Sequence, residues 1–121
     1  MNKRTMGAEG EEKAVNYLKQ QGCEILITNY TCKIGEIDII IKHADTVVFV
    51  EVKSRKDDQR GRPYEAVNYP KQKKIIKCAM LYAQQKHLYD RPMRFDVIEI
   101  LGEEIFWFKN AFGVEGNSKY L

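Results

Sequence analysis

Two hydrophobic runs joined by a short turn, at residues 36–42 and 47–53, constrain the fold of this chain more than any other feature. Both runs are rich in Ile and Val, which favour β-strands. The connection between them, HADT at residues 43–46, is too short for a crossover. The two strands are therefore predicted to be antiparallel neighbours in a sheet.

Hydrophobic periodicity elsewhere predicts the element order α-β-β-β-α-β-β. The predicted helices cover residues 6–21 and 71–86, and the remaining strands cover 23–30, 94–101 and 104–112. A long helical crossover lies between the third and fourth strands, and parallel pairing requires such a connection. The expected fold class is therefore α/β, with a mixed central sheet flanked by helices.

The length of the chain, 121 residues, predicts one domain over residues 1–121. We expect a mobile loop at 54–64, where charge, Gly and Pro lack a period, and a frayed tail from 113. No apolar run approaches the roughly 20 residues of a membrane span, and no secretory signal is recognisable, so the expected location is the cytoplasm. Three cysteines without a CxxC pair indicate neither a disulfide framework nor a zinc cluster.

Positive charge is concentrated in residues 53–77, which hold nine Lys or Arg against three Asp or Glu. This segment carries +6, and the rest of the chain therefore carries −3. Such an excess favours a polyanion partner, although a solvated basic face has the same composition. The candidate nucleic-acid-binding residues are Arg55, Lys56, Arg60, Arg62, Lys71, Lys73, Lys74 and Lys77.

Two acids and an amine interrupt the hydrophobic runs: Asp38 in the first, Glu51 and Lys53 in the second. Glu51 and Lys53 share one strand face, with Cα atoms ~7 Å apart. Like charges in a half-buried setting oppose ionisation, so a cation with oxygen ligands, Mg²⁺ or Mn²⁺, would compensate Asp38 and Glu51. Lys53 would orient water or stabilise charge on a phosphoryl oxygen, which indicates phosphodiester hydrolysis. An exposed cross-strand ion pair is the competing interpretation.

Glu11 adds a third acid, because it lies on the inward stripe of the first helix with Gly10, Ala14 and Leu18. It can therefore converge on the same place as Asp38 and Glu51. Arg94 and Asp96, in contrast, are expected to pair structurally at the start of the fourth strand.

Several segments, in order and spacing, resemble the YraN family of small bacterial proteins. They are GAEGEEKAVNYL at 7–18, the NY before GEIDII, FVEVKSR at 49–55, the G, P and EAV of 61–67, KQKKI at 71–75, RFDVI at 94–98 and the closing KNAF. This family is similar to the PD-(D/E)XK, or restriction-endonuclease-like, nucleases, and especially to archaeal Holliday-junction resolvases. The resemblance implies an αβββαβ core in which Asp38 and Glu51 hold the metal, Lys53 is the catalytic lysine and Glu11 is a helix-borne acid.

The expected function is that of a metal-dependent nuclease acting on DNA, including branched or single-strand-containing DNA. The catalytic residues would be Asp38, Glu51, Lys53 and Glu11, with the three acids meeting around one ion. A junction resolvase would be a homodimer, since two symmetric cuts need two sites, and the aromatic last strand is the candidate interface. The alternative is a non-catalytic nucleic-acid-binding module that recruits a helicase or a repair enzyme.

Overall fold

The computed structural model describes residues 6–55 and 67–113, and in them the predicted element order is confirmed. The elements are α1 (Met6–Gln20), β1 (Glu24–Thr31), β2 (Glu36–His43), β3 (Thr46–Arg55), α2 (Tyr69–Lys86), β4 (Met93–Leu101) and β5 (Glu104–Phe112). Strand β3 includes Ser54 and Arg55, so the predicted loop begins two residues too early. The rest of that loop and the predicted tail beyond Gly113 lie outside the described residues.

The strands form one five-stranded sheet in the order β1-β2-β3-β4-β5. Strands β3 and β4 pair in parallel from Val47 with Met93 to Arg55 with Leu101, and the other neighbouring pairs are antiparallel. The parallel pair follows from the helical crossover through α2, whereas the antiparallel pairs have short connections. The predicted mixed sheet of an αβββαβ, restriction-endonuclease-like core is thus confirmed.

Each face of the sheet is covered by one helix. On one face, Ala14 and Leu18 of α1 pack with Val48 and Val50. On the other face, residues of α2, including Ile75, pack with a second set of strand residues. This segregation follows from the alternation of side chains along each strand. Neither helix in the described ranges is long and apolar enough to cross a membrane.

Two glycines, Gly22 after the last turn of helix α1 and Gly10 near its start, explain how the helix ends and how closely it packs on the sheet. After its last turn, the Gly22 N–H donates to the Lys19 carbonyl and the Cys23 N–H donates to the Leu18 carbonyl, with Gly22 at φ +89°. Near the start of the helix, a Cβ at Gly10 would lie only 3.0 Å from the Cβ and Oγ of Ser54. The missing side chain at Gly10 therefore lets α1 approach β3 closely and brings the next residue, Glu11, to the sheet.

Asp96 is a buried structural carboxylate in β4. It accepts two hydrogen bonds from the Arg94 guanidinium, one from the Trp107 indole and one from the Asn110 backbone N–H, all at 2.8–2.9 Å. The expected Arg94–Asp96 pair is therefore confirmed. These bonds bracket an irregularity between Phe95 and Val97 in the pairing of β4 with β5, and they compensate the burial of the charge.

Strand β2 departs from regular alternation at Asp38, and this departure creates the opening described below. The β2–β3 pairing ends at Ile39 with Val50. Ile37 and Ile40, although three residues apart, both pack on the α2 side, while Ile39 packs on the α1 side. The side chain between them, Asp38, consequently lies where the two strands separate.

Candidate active site

Asp38 closes the gap where β2 and β3 stop pairing. The backbone N–H of Val52 donates to Asp38 Oδ2 at 2.8 Å. This N–H lies two residues beyond Val50, the last residue of β3 paired with β2. A carboxylate oxygen thus takes the place of a main-chain acceptor. The hydrogen bond fixes the carboxylate of Asp38 between the strands, within reach of both helices.

Glu11 reaches this gap from α1 and forms a side-chain hydrogen bond with Asp38. Burial, the negative charge of Asp38 and this hydrogen bond together raise the pKa of Glu11 to about 7. Near neutral pH, Glu11 therefore exists in both protonation states. A carboxyl group with a pKa in this range can accept or release a proton under physiological conditions.

Asn29 is a second partner of Glu11 that the sequence reasoning missed as a site residue. Its side chain hydrogen-bonds Glu11 and opposes the rise in the pKa of that carboxyl. Asn29 lies in β1 with φ +54°, a left-handed conformation that Asn tolerates better than most residues. The sequence signal for Asn29 is the Asn-Tyr pair preceding GEIDII, one of the segments that resemble the YraN family.

Glu51 projects from β3 on the α2 side and is only 6% exposed. Burial and the negative charge of Asp38 raise its pKa, while the neighbouring Lys71 lowers it. The Lys71 ammonium Nζ lies 2.5 Å from Glu51 Oε2. The most buried of the three acids is therefore compensated by an amine from the first turn of α2.

Lys53 shares the Glu51 face of β3, as predicted, and lies beside a second amine. Burial lowers the pKa of Lys53, and the positive charge of the neighbouring Lys71 lowers it further. The charges of Glu51 and Asp38 act in the opposite direction. Two lysines and three carboxylates thus belong to one electrostatically coupled group at the end of the β2–β3 hairpin.

The structure places Asp38 between Glu11 of α1 and the Glu51–Lys53 pair of β3, although these three parts of the site are far apart in the sequence. Of the eight predicted nucleic-acid-binding residues, Lys71 lies inside this group and not among the exposed basic residues of α2. The other described members comprise three exposed side chains on α2 and one strand residue paired with Glu99 at 3.2 Å: Lys73, Lys74, Lys77 and Arg55. The remaining three, Lys56, Arg60 and Arg62, lie outside the described residues.

Comparison with known sequences agrees with the resemblance noted above. The family described as "Uncharacterised protein family UPF0102", which is the YraN family, matches residues 10–100. The chain belongs to the UPF0102 family.

Individual relatives match the chain along nearly its whole length. A UPF0102 protein of Clostridioides difficile (strain 630) is 49% identical over 114 residues, covering 93% of this chain and 100% of the relative. A UPF0102 protein of Caldicellulosiruptor saccharolyticus is 44% identical over 118 residues, with 93% and 100% coverage. A UPF0102 protein of Persephonella marina is 42% identical over 109 residues, with 90% and 94% coverage.

The donor set of this UPF0102 chain fits a hard divalent cation. Three carboxylates offer oxygen ligands, and Asp38 raises the pKa of both Glu11 and Glu51, so a positive ion among them would relieve repulsion. In the described ranges, however, no three His, Cys, Asp or Glu side chains are grouped so that they could hold a metal ion. The cation beside Glu51 is instead the ammonium of Lys71.

A cavity of about 440 Å³ adjoins the site between the loop before β2 and the first turns of α2. Lys71 and Lys74 line it from the helix, and Gly35 and Glu36 line it from the strand side. The cavity therefore connects an amine of the UPF0102 site to the exposed basic face of α2.

Proposed function

We propose that this UPF0102 chain is a metal-dependent nuclease that hydrolyses phosphodiester bonds in DNA. The proposal depends on one observation above all: Asp38, at the opening between β2 and β3, interacts with Glu11 on one side and with Glu51 and Lys53 on the other. Grouped carboxylates beside an amine are the protein groups that metal-assisted phosphodiester hydrolysis requires.

Each residue of the site has a distinct proposed role. Asp38 and Glu51, with Glu11, would hold Mg²⁺ or Mn²⁺, which when bound would supply Lewis acidity and lower the pKa of a coordinated water. Lys53 would orient the attacking water or stabilise negative charge on the phosphoryl oxygens. Glu11, whose pKa is about 7 in the metal-free protein, would release its proton when the ion binds.

The proposed substrate is DNA, including branched or single-strand-containing DNA, as in Holliday-junction resolvases. The exposed amines of Lys73, Lys74 and Lys77 on α2 support a phosphate-binding path beside the site. Resolution of a four-way junction would also require a homodimer. We place this activity in the cytoplasm, where a helicase or a repair enzyme would be a fitting partner.

The test is incubation of the purified protein with labelled flap, fork, four-way-junction, linear and single-stranded DNA in Mg²⁺ or Mn²⁺. We expect cleavage that Asp38→Asn and Lys53→Ala each abolish, while DNA binding persists in Lys53→Ala. Asp45→Asn, in the exposed hairpin turn, and Lys19→Ala, on the exposed face of α1, are matched controls that should cleave normally. Equal cleavage by parent and Lys53→Ala would refute the proposal.

The second candidate function is a nucleic-acid-binding module that does not cut. The contact between Lys71 and Glu51 favours it, because an amine there already compensates the buried acid without a metal ion. This module would bind branched DNA with unchanged affinity in Asp38→Asn and would leave every substrate intact under every divalent metal. Neutralising Lys73, Lys74 and Lys77 together should weaken binding under either function.

A further inference from the structure

Lys71 is 20 residues from Glu51 in the sequence, yet its amine contacts the Glu51 carboxylate in the site. Its Nζ lies 2.5 Å from Glu51 Oε2, and the Glu51 side chain is only 7% exposed. The Lys71 side chain itself is 40% exposed, so its amine remains accessible from solvent. The ion pair therefore joins a fixed, buried carboxylate to a long side chain that can move.

Apart from Glu51 and the negative charge of Asp38, the surroundings of Lys71 are unfavourable for a cation. Asn68 caps α2 by accepting from the Lys71 backbone N–H at 3.0 Å, which places Lys71 in the first turn. Positive charge is disfavoured at this end of a helix, and the first turn contains no acidic residue. The amine of Lys53 adds repulsion from the sheet. Glu51 is thus the partner that retains the amine of Lys71 here.

We propose that Lys71 is an exchangeable counterion of the site, which pairs with Glu51 in the metal-free protein and leaves it when a divalent cation binds. The inference rests on the proposed function, since it assumes that Glu51 is a ligand. A doubly charged ion at Glu51 would both remove the partner of Lys71 and repel its amine. The adjoining cavity of about 440 Å³, which Lys71 and Lys74 line together, gives the released amine room to move.

Such an exchange would make the affinity of the site for cations depend on a residue that is not itself a ligand. The cation has to displace the Lys71 amine, so removing the amine should tighten cation binding. Lys71 would accordingly be a positioning residue that keeps Glu51 compensated until the ion arrives.

The first experiment is calorimetric titration of Mn²⁺ and Mg²⁺ into the parent and Lys71→Met, which keeps the aliphatic stem without the amine. We expect roughly fivefold tighter binding in Lys71→Met, the effect of losing one partly exposed ion pair. Lys71→Arg retains the charge and should bind like the parent. Lys86→Met, at an exposed position in the last turn of the same helix, is the matched control and should also bind like the parent. Thermal melts establish that each variant is folded.

The second experiment distinguishes displacement from simple repulsion between a stationary Lys71 and the ion. Reductive methylation followed by mass spectrometry measures the reactivity of each lysine amine with and without Mg²⁺. Displacement predicts faster labelling of Lys71 in the presence of Mg²⁺ and unchanged labelling of Lys86, in the last turn of the same helix. Unchanged labelling of Lys71 in a protein that binds the ion would overturn the inference.

The two proposals fail in different ways. If the parent and Lys71→Met bind cations with equal affinity and DNA is still cleaved, the exchange is wrong and the nuclease stands. If cations bind more tightly to Lys71→Met and Mg²⁺ speeds the labelling of Lys71, but no DNA is cut, the exchange stands and the nuclease fails. If neither protein binds a divalent cation, both proposals are refuted.

Discussion

Replacing Asp38 with Asn should lower the pKa of Glu11. Burial is the largest cause of the raised pKa, and the charge and hydrogen bond of Asp38 come next. Asn preserves the size of the side chain and can still accept the Val52 N–H. A neighbouring charge typically changes a carboxyl pKa by about 1 to 3. Since burial remains, we expect the pKa of Glu11 to fall by about 1 from about 7, remaining above 4.5.

Carbon-detected NMR of the Glu11 carboxyl over a pH series measures this change directly. Asn29→Gly is a control of opposite sign: its loss removes the hydrogen bond that stabilises the Glu11 carboxylate, so the pKa of Glu11 should rise. Glycine also tolerates the positive φ of this position. An unchanged pKa of Glu11 in Asp38→Asn, or a shift of the same sign in both variants, would refute the proposed coupling.

The raised pKa of Glu11 also determines how it contributes to stability. Between pH 4.5 and about 7, the folded protein retains a proton that the unfolded chain has released. The contribution of Glu11 is therefore fully present below pH 4.5 and is lost as the pH rises to about 7. In Asp38→Asn this loss should be complete at a lower pH, as urea unfolding at several pH values would show. A parent-minus-variant difference that increases with pH through this window would contradict the assignment.

Three further predictions concern the scaffold. Gly10→Ala should lower the melting temperature, because the new Cβ would lie 3.0 Å from the Ser54 side chain, and such overpacking costs about 1–3 kcal/mol, more than the gain in helix propensity. Adding Ser54→Gly should restore the melting temperature, and an unchanged melting temperature in Gly10→Ala would contradict this prediction. Cys32 and Cys78, with Sγ atoms 2.8 Å apart, should form a disulfide when the protein is treated with oxidised glutathione, which is reduced to two molecules of the thiol. Peptide maps that recover both cysteines as free thiols would contradict this. Asp96→Asn should cost about 3 kcal/mol in urea unfolding, and a loss below about 1 kcal/mol would show that its hydrogen bonds contribute little.

Much of the fold follows from local pattern. The period-two runs around Ile39 and Val50 specify the hairpin, and the long helical segment after β3 specifies the parallel pair. The same periodicity makes Asp38, Glu51 and Lys53 conspicuous, because charged residues rarely interrupt runs that bury their neighbours. The stripe on α1 likewise points Glu11 inward. These predictions needed only the geometry of one element at a time.

Other features depend on how separate elements meet. Lys71 belongs by composition to a basic run, and only the docking of α2 on the sheet brings its amine to Glu51. Asn29 of β1, which has a left-handed backbone conformation, contacts Glu11 near the point where β2 and β3 stop pairing. The spacing of residues in the sequence predicts which side chains share a face of one strand or one helix, whereas these contacts depend on how the strands and helices are placed relative to one another. The sequence by itself thus determined the architecture and which acids face inward, and the tertiary structure decided which amine compensates them.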